Sequence, residues 1–388
     1  MNRHHRWVVT FFGWGLYFSF TFAWYTLAAL LPRVLEEVTM TSLATGILLG
    51  AVSAVMALTW MVMGPLVDRV GPGPAMGVGV AVLGFAAAFR GVASGFPLLF
   101  ASMIVIALGG STVTYGLPRA LSSYFPADEV GTPIGIVTVG AQFGSLAAFG
   151  VMPQVSSFVG GWQPAFALSG IPAMVFAAGW LVFYERDSTA EKSSPPSVAT
   201  VRRLFFQPGI LALVAAGFMY LFATHSTLGW LATLLSTRGF SAKTASQLVA
   251  VLIAGQILGT LVVPALSDRV GHRAAFIGAT GVSFTFGMVS FAVFSTRLLP
   301  LVGVGIVSGL ALGGISPLLR VLPMELVSQD TLSTVISMIF GVGAIGGFLG
   351  PVLVGATLES TTLFAGFGIL ALPGVAFMII SVAFARLE

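Results

Sequence analysis

Apolar residues run almost unbroken for about twenty positions at a time and then stop at short polar or Pro/Gly breaks, a length that matches the ~20 residues a helix needs to cross a bilayer. Such runs fall near 8–31, 43–66, 75–94, 97–118, 131–153 and 164–184, and again near 209–234, 244–266, 274–295, 298–321, 332–356 and 362–385. In hydrocarbon an unpaired peptide group is costly, and a helix closes its backbone bonds within itself. Each run therefore predicts a transmembrane helix. The one long polar interruption spans 185–208, with Glu185, Arg186, Asp187, Glu191, Lys192, Pro195, Pro196, Arg202 and Arg203. It predicts a solvated cytoplasmic linker between an N-terminal bundle, 1–184, and a C-terminal bundle, 209–388. The predicted fold class is all-α integral membrane, twelve transmembrane helices in two six-helix bundles.

Composition excludes the soluble alternative. Of 388 residues 57% are hydrophobic and 8% charged, against roughly 25% charged in soluble domains. Too few polar groups exist to cover a water-facing surface. The absence of cysteine excludes disulfides and thiolate metal sites. The basic start Asn2-Arg3-His4-His5-Arg6 runs directly into a full-length span, so no cleavable signal is expected. With the N-terminus inside, twelve Lys and Arg fall on the cytoplasmic side, among them Arg3, Arg6, Arg69, Arg119, Arg186, Lys192, Arg273, Arg320 and Arg386. Five fall outside: Arg33, Arg90, Arg238, Lys243 and Arg297. The positive-inside bias predicts a protein of the inner (cytoplasmic) membrane with both termini cytoplasmic.

The halves repeat. Met63-Gly-Pro-Leu-Val-Asp68-Arg69-Val70-Gly71 precedes the third span, and Val263-Pro-Ala-Leu-Ser-Asp268-Arg269-Val270-Gly271 precedes the ninth. Leu66, Asp68, Arg69, Val70 and Gly71 recur unchanged after 200 residues. Parallel six-helix repeats are a transporter architecture in which two bundles rock about a central site. On these residues the chain resembles the major facilitator superfamily, with weak similarity to its organic-anion and monocarboxylate-type members. That family carries a Gly-x-Leu-x-Asp-Arg-x-Gly-Arg signature between its second and third spans and a weaker copy between the eighth and ninth. Here Pro72, Gly73 and Pro74 replace the usual basic residues of the first copy, and Pro264 replaces the leading Gly of the second, which keeps Arg273. Gly161-Trp162-Gln163 before the sixth span extends the resemblance. It implies a gating latch built from Gly64, Asp68, Arg69, Gly71, Asp268, Arg269, Gly271 and Arg273, and a cavity lined by the first, fourth, seventh and tenth spans.

All thirteen carboxylates map to loops or span ends. Coupled carriers commonly place an Asp or Glu at membrane depth, so a carboxylate proton relay, a carboxylate sodium site and cationic substrates all lose support. Cations are better placed. Ser111, Tyr115 and Arg119 are spaced by four and share a helical face, and Ser308, Ser316 and Arg320 share another. Arg119 and Arg320 are 201 residues apart, almost the repeat offset. A guanidinium fork matches carboxylate or phosphate oxygens, so the pair predicts an anion site. Both also fall near the headgroup level, where they would snorkel as anchors, neutralised by Glu325 or the signature carboxylates. Both readings stay open here.

Trp14, Tyr17, Phe18, Thr21, Trp24 and Tyr25 form one stripe on the first span. Tyr17 and Phe18, with Tyr220 on the seventh span, fall near the midplane, either lining the cavity or packing. Trp24 and Tyr25 read as interfacial belt residues. His225 changes charge near neutral pH and could couple proton movement, bind an anion, or simply be held by a backbone carbonyl. Gln142 and Gln256 either meet substrate or tie helices together. Gly140-x-x-x-Gly144, Gly343-x-x-x-Gly347 and Gly346-x-x-x-Gly350 predict close helix packing.

No Gly-rich loop precedes Lys-Ser/Thr, so ATP-driven transport is not expected. No hydrolase elbow or histidine cluster supports an enzyme. The expected protein is a monomeric secondary transporter of a small organic anion, a monocarboxylate or similar oxyanion, working by alternating access in the lipid bilayer. Proton coupling is allowed; no cofactor, metal or nucleic acid is expected. The alternative is an exporter of neutral or hydrophobic small molecules, which an aromatic cavity with almost no charge would suit.

Overall fold

The computed structural model describes residues 3–126, 129–185, 198–294 and 298–384. Arg186, Lys192, Arg297 and Arg386 lie outside the described residues, as does the side chain of Asp68. In chain order the helices are α1 (Arg3–Glu37), α2 (Ser42–Val70), α3 (Pro72–Phe89), α4 (Phe96–Ser122), α5 (Gly131–Phe158), α6 (Trp162–Ser169) and α7 (Ile171–Phe183). There follow α8 (Val198–Phe205), α9 (Pro208–Ser236), α10 (Ala242–Val270), α11 (Arg273–Val293), α12 (Leu298–Val321), α13 (Pro323–Leu326), α14 (Gln329–Ser360) and α15 (Leu363–Phe384). Among the described residues twelve spans are long and apolar enough to cross a membrane, one for each expected run, with α6 and α7 sharing the sixth. Large apolar side chains stand on the outside, Phe158 at 92%, Leu299 at 83% and Leu58 at 79% exposure. Hydrocarbon, not water, suits that surface.

Part of the stretch expected as solvated linker is helical. In α8 Val201, Leu204 and Phe205 recur at helical spacing and pack on the core of α9, α12 and α14, while Arg202 and Arg203 stay exposed. Contacts divide the chain into two compact units. One is Met1–Met40 with Val55–Lys192; the other is Thr41–Ala54 with Ser193–Glu388. The third boundary, between Lys192 and Ser193, falls inside the expected linker, but the assignment of Thr41–Ala54 to the C-terminal helices has no counterpart in the sequence pattern. Two glycines make that docking close. A Cβ at Gly46 would fall 2.5 Å from the Pro351 carbonyl oxygen of α14, and one at Gly50 would fall 2.8 Å from that of Phe348.

Within the first unit α1 lies directly on α5. A Cβ at Gly140 would stand 2.6 Å from the Trp14 carbonyl oxygen, and one at Gly144 would overlap the Phe18 carbonyl and the Thr21 hydroxyl. Thr21 uses that proximity to donate across the seam to Ala141 O at 2.7 Å. Within the second unit α9 lies on α14 by the same device. Gly343 and Gly346 face the backbone of Gly217 and Phe218, and Gly350 faces that of Phe222. Without lipid-excluded apolar area to gain, helices in a bilayer associate through such close backbone approach. A third seam, α10 on α12, uses Gly255, Gly259, Gly309 and Gly313, each against a backbone carbonyl.

The repeated signature ends two helices on a glycine with positive φ. Gly71, between α2 and α3, has φ +94°, and Gly271, after α10, has φ +77°. Each donates its N–H back to a carbonyl four residues earlier, Val67 and Ser267. A left-handed residue here turns the chain out of one helix toward the next, and only glycine adopts it without a Cβ penalty. After Gly71, Pro72 sits in the first turn of α3, where its missing N–H costs nothing. Proline at position 72 therefore costs α3 no backbone hydrogen bond. Gly71→Ala and Gly271→Ala are each expected to cost about 1 kcal/mol, read as a lower melting temperature in detergent. Gly64→Ala serves as the control, because no heavy atom lies within 4 Å of the position its Cβ would take.

Candidate functional site

In the first unit the α4 face begins deep and ends half exposed. Ser111 is fully buried, donates to Ala107 O at 2.8 Å and lies 3.2 Å from the Thr59 hydroxyl of α2. One turn on, Tyr115 is half-buried and lies near Tyr17 of α1. Another turn on, Arg119 is half-buried and directs Nη1 toward Gly64 O at 3.5 Å. Tyr115 and Arg119 thus share one face of α4, with Tyr17 of α1 near the first of them. Phe18, next to Tyr17 but about 100° around the helix, goes elsewhere. It stacks with Trp14 and Phe22, and its ring centre is 6.4 Å from that of Phe176 on α7. Trp24 and Tyr25 are buried rather than interfacial, stacked on each other at 4.9 Å with Tyr25 against Phe149 of α5. An apolar groove of about 360 Å³ lies along α1 and α5, lined by Trp7, Thr10, Phe11, Trp14 and Ile136.

In the second unit Ser308 is buried, bonds its own helix at Val304 O (2.7 Å) and faces Gly287 of α11. It does not join the other two residues of its predicted face. Ser316 and Arg320 do meet, since Arg320 Nη1 donates to Ser316 O at 3.1 Å and to its hydroxyl. The guanidinium also sits 4.6 Å over the Phe340 ring of α14. Tyr220 is half-buried at the edge of the core of α9, α12 and α14. His225, one turn beyond it, points to a different neighbour. Its Nδ1 lies 2.6 Å from the Ser53 hydroxyl, carried by the Thr41–Ala54 segment of α2, and it also bonds the Gly347 backbone of α14. Gln256 is buried on the α10 to α12 seam.

The signature residues separate by role. Gly71 and Gly271 shape the turns; Gly64 lends its carbonyl to Arg119. Arg69 and Arg269 are exposed. Asp268 finds its arginine five residues on rather than next door, pairing with Arg273 Nη2 at 3.0 Å. Arg273 Nη1 holds Glu325 of α13. Glu325, offered by the sequence as a neutraliser of Arg320, is therefore taken by another cation. These carboxylates are more than half exposed, 62% and 53%, so the network is screened and contributes little to stability. Among the described residues no three His, Asp or Glu side chains gather to hold a metal ion.

Sequence reasoning did not find Ser53 as the partner of His225, nor the burial of Arg90, which is 0% exposed. Ser53 continues the face of Gly46 and Gly50, a small-residue pattern that could have marked that side of α2 as a packing surface. Arg90 shows itself in sequence as a cation followed directly by Gly91 and Val92, without a polar loop around it.

A sequence model of the Major Facilitator Superfamily matches residues 13–351 and, in a second match, 233–388. The chain is similar to the 3-(3-hydroxy-phenyl)propionate transporter of Escherichia coli (strain K12), 26% identical over 329 residues, covering 81% of this chain and 78% of that protein. It is also similar to the sialic acid transporter NanX of the same organism, 24% identical over 341 residues, covering 84% and 78%. Among solved structures the nucleoside transporter NupG superposes with a TM-score of 0.78 at 14% identity, over 100% of this chain and 99% of that one. At that identity the likeness concerns the fold.

Proposed function

The chain belongs to the Major Facilitator Superfamily of secondary transporters, and on that footing we propose that it moves a small organic anion, a monocarboxylate or similar compact oxyanion, by alternating access. The observation that carries this reading is Arg119 half-buried one turn from Tyr115 on α4, with Tyr17 of α1 near Tyr115. Two phenol hydroxyls and a guanidinium supply donors for carboxylate oxygens. In the second unit the Ser316–Arg320 pair offers the same chemistry. The substrates named for two similar proteins, a phenylpropionate and a sialic acid, are carboxylates and agree with it. The Lys/Arg bias supports an inner-membrane protein with both termini in the cytoplasm.

A thermal-shift panel of carboxylates, phosphates and uncharged lipophilic compounds tests the reading, followed by uptake of the best binder into proteoliposomes. A true substrate at a hundred times its Kd is expected to raise stability by about 2.7 kcal/mol. Carboxylates should lead. Stabilisation by uncharged lipophilic compounds alone would overturn the anion reading and leave the exporter.

A further inference from the structure

Arg90 opens the short turn Arg90–Val92 that follows α3, inside the third candidate span. Counted by loops it belongs with the outer surface cations, yet the structure sinks it completely between α1, α4 and α6. Its Nη2 donates to Ala23 O of α1 at 2.5 Å, and Nη1 lies 3.9 Å from Met103 Sδ of α4. The guanidinium stands 4.8 Å over the Phe166 ring of α6. Nε is buried without a partner, and among the described residues no carboxylate pairs with the group. The acid Glu37 lies at the exposed end of α1, bound by Gln163. In water its charge is screened within about 10 Å.

Burying a cation without an acid is expensive, and an apolar side chain of similar volume would fill the space without that cost. One carbonyl, one sulfur and one aromatic face stabilise the charge but do not cancel it. The geometry points to a specificity role: Arg90 supplies a fixed positive charge behind α1 that makes the Tyr17 face of the first unit attract anions and repel cations. Ala23 is six residues beyond Tyr17, about 9 Å along the helix axis. A unit charge acting over roughly 12 Å at an effective dielectric of ~20 changes the local concentration of a monovalent ion about tenfold. Arg90 touches no substrate; it biases what approaches the residues that do. The inference rests on the anion reading, and deepens it by naming the source of the charge preference.

The lack of native cysteine makes a direct measurement possible, with no substrate required. Tyr17→Cys gives a single thiol whose reaction rates with an anionic sulfonatoethyl, a cationic trimethylammonium-ethyl and a neutral methyl methanethiosulfonate report the local potential. Arg90→Gln, which keeps a donor for Ala23 O but loses the charge, is expected to lower the anionic-to-cationic rate ratio at least tenfold. Arg90→Lys should restore the ratio. The neutral reagent should react at an unchanged rate throughout. Met103→Glu, which places an acid beside Nη1 and leaves the arginine in place, should lower the ratio as Arg90→Gln does. An unchanged ratio in a folded variant overturns the proposal. So does a parallel change with the neutral reagent, which would mean Arg90 only holds α1 in position, and so does loss of folded protein in both charge-cancelling variants. Failure of every carboxylate in the binding panel, with the ratio behaving as expected, would instead sink the anion reading while the field remained.

Discussion

Gly144→Leu is expected to eliminate the folded protein from detergent extracts, not merely to lower its melting temperature. The Cβ alone would overlap the Phe18 carbonyl and the Thr21 hydroxyl, and the rest of the side chain has nowhere to go between α1 and α5. Overpacking costs about 1–3 kcal/mol where side chains can move aside. Here the obstacle is backbone, so the helices must separate. Separation also breaks the 2.7 Å bond from Thr21 to Ala141 O, leaving a hydroxyl and a carbonyl unpaired in an apolar setting. Against a total stability on the order of 5–15 kcal/mol, a loss of at least ~3 kcal/mol at the principal seam of the unit leaves little folded material. Gly346→Leu, against the Phe218 backbone, should do the same in the second unit. Gly135→Leu, on the same helix α5 with nothing within 4 Å, is the control and should survive. Fluorescence size-exclusion profiles of the three variants decide the matter. A monodisperse Gly144→Leu peak would show that the seam can open.

That the seams could be expected at all reflects what a membrane chain writes into its sequence. Hydropathy marks the spans because lipid and loop differ so sharply in what they tolerate, and all twelve runs returned as helices. Small residues four apart mark a face that another helix can approach, so the α1 to α5 and α9 to α14 seams were legible in Gly140, Gly144, Gly343 and Gly346. What such patterns lack is the identity of the partner. Gly46, Gly50 and Ser53 show a small-residue face on α2 without saying that α14 and His225 receive it. Charges are harder still. A loop count treats Arg90 as a surface cation because its neighbours end a hydrophobic run, whereas its long stem lets the guanidinium turn back under Phe166. Asp268 has three arginine and histidine neighbours within five residues, and only the start of α11 selects Arg273 among them. In the aromatic stripe, Tyr17 and Phe18 fall on one broad face in a helical projection. The fold divides that face between α4 and the α5/α7 side.

Arg119→Gln and Arg320→Gln, measured separately, carry the largest expected effect on transport. A hydrogen bond to a charged group is worth about 1.5–3 kcal/mol, so removing a guanidinium that binds a carboxylate should raise KM roughly 10- to 100-fold. Arg119 is half-buried beside Tyr115, where water competes less for the anion, and should lie at the upper end of that range. Arg320 is exposed and already occupied with Ser316 and the Phe340 ring. Binding an anion there must draw it off those contacts, so the loss on substitution should be smaller. Lysine separates shape from charge. Arg119→Lys keeps the charge but loses the planar fork, and should recover part of the KM but not all of it. The competing role for Arg119 is mechanical, holding the Gly64 carbonyl of α2. A tie of that kind acts on the rate at which the carrier changes state. Its removal would lower the maximal rate and leave KM unchanged, and lysine, which still donates to a carbonyl, would suffice to restore it. The pattern of KM against maximal rate across Arg119→Gln and Arg119→Lys therefore assigns the residue to the substrate or to the helix. Unaltered kinetics in both would remove it from either role.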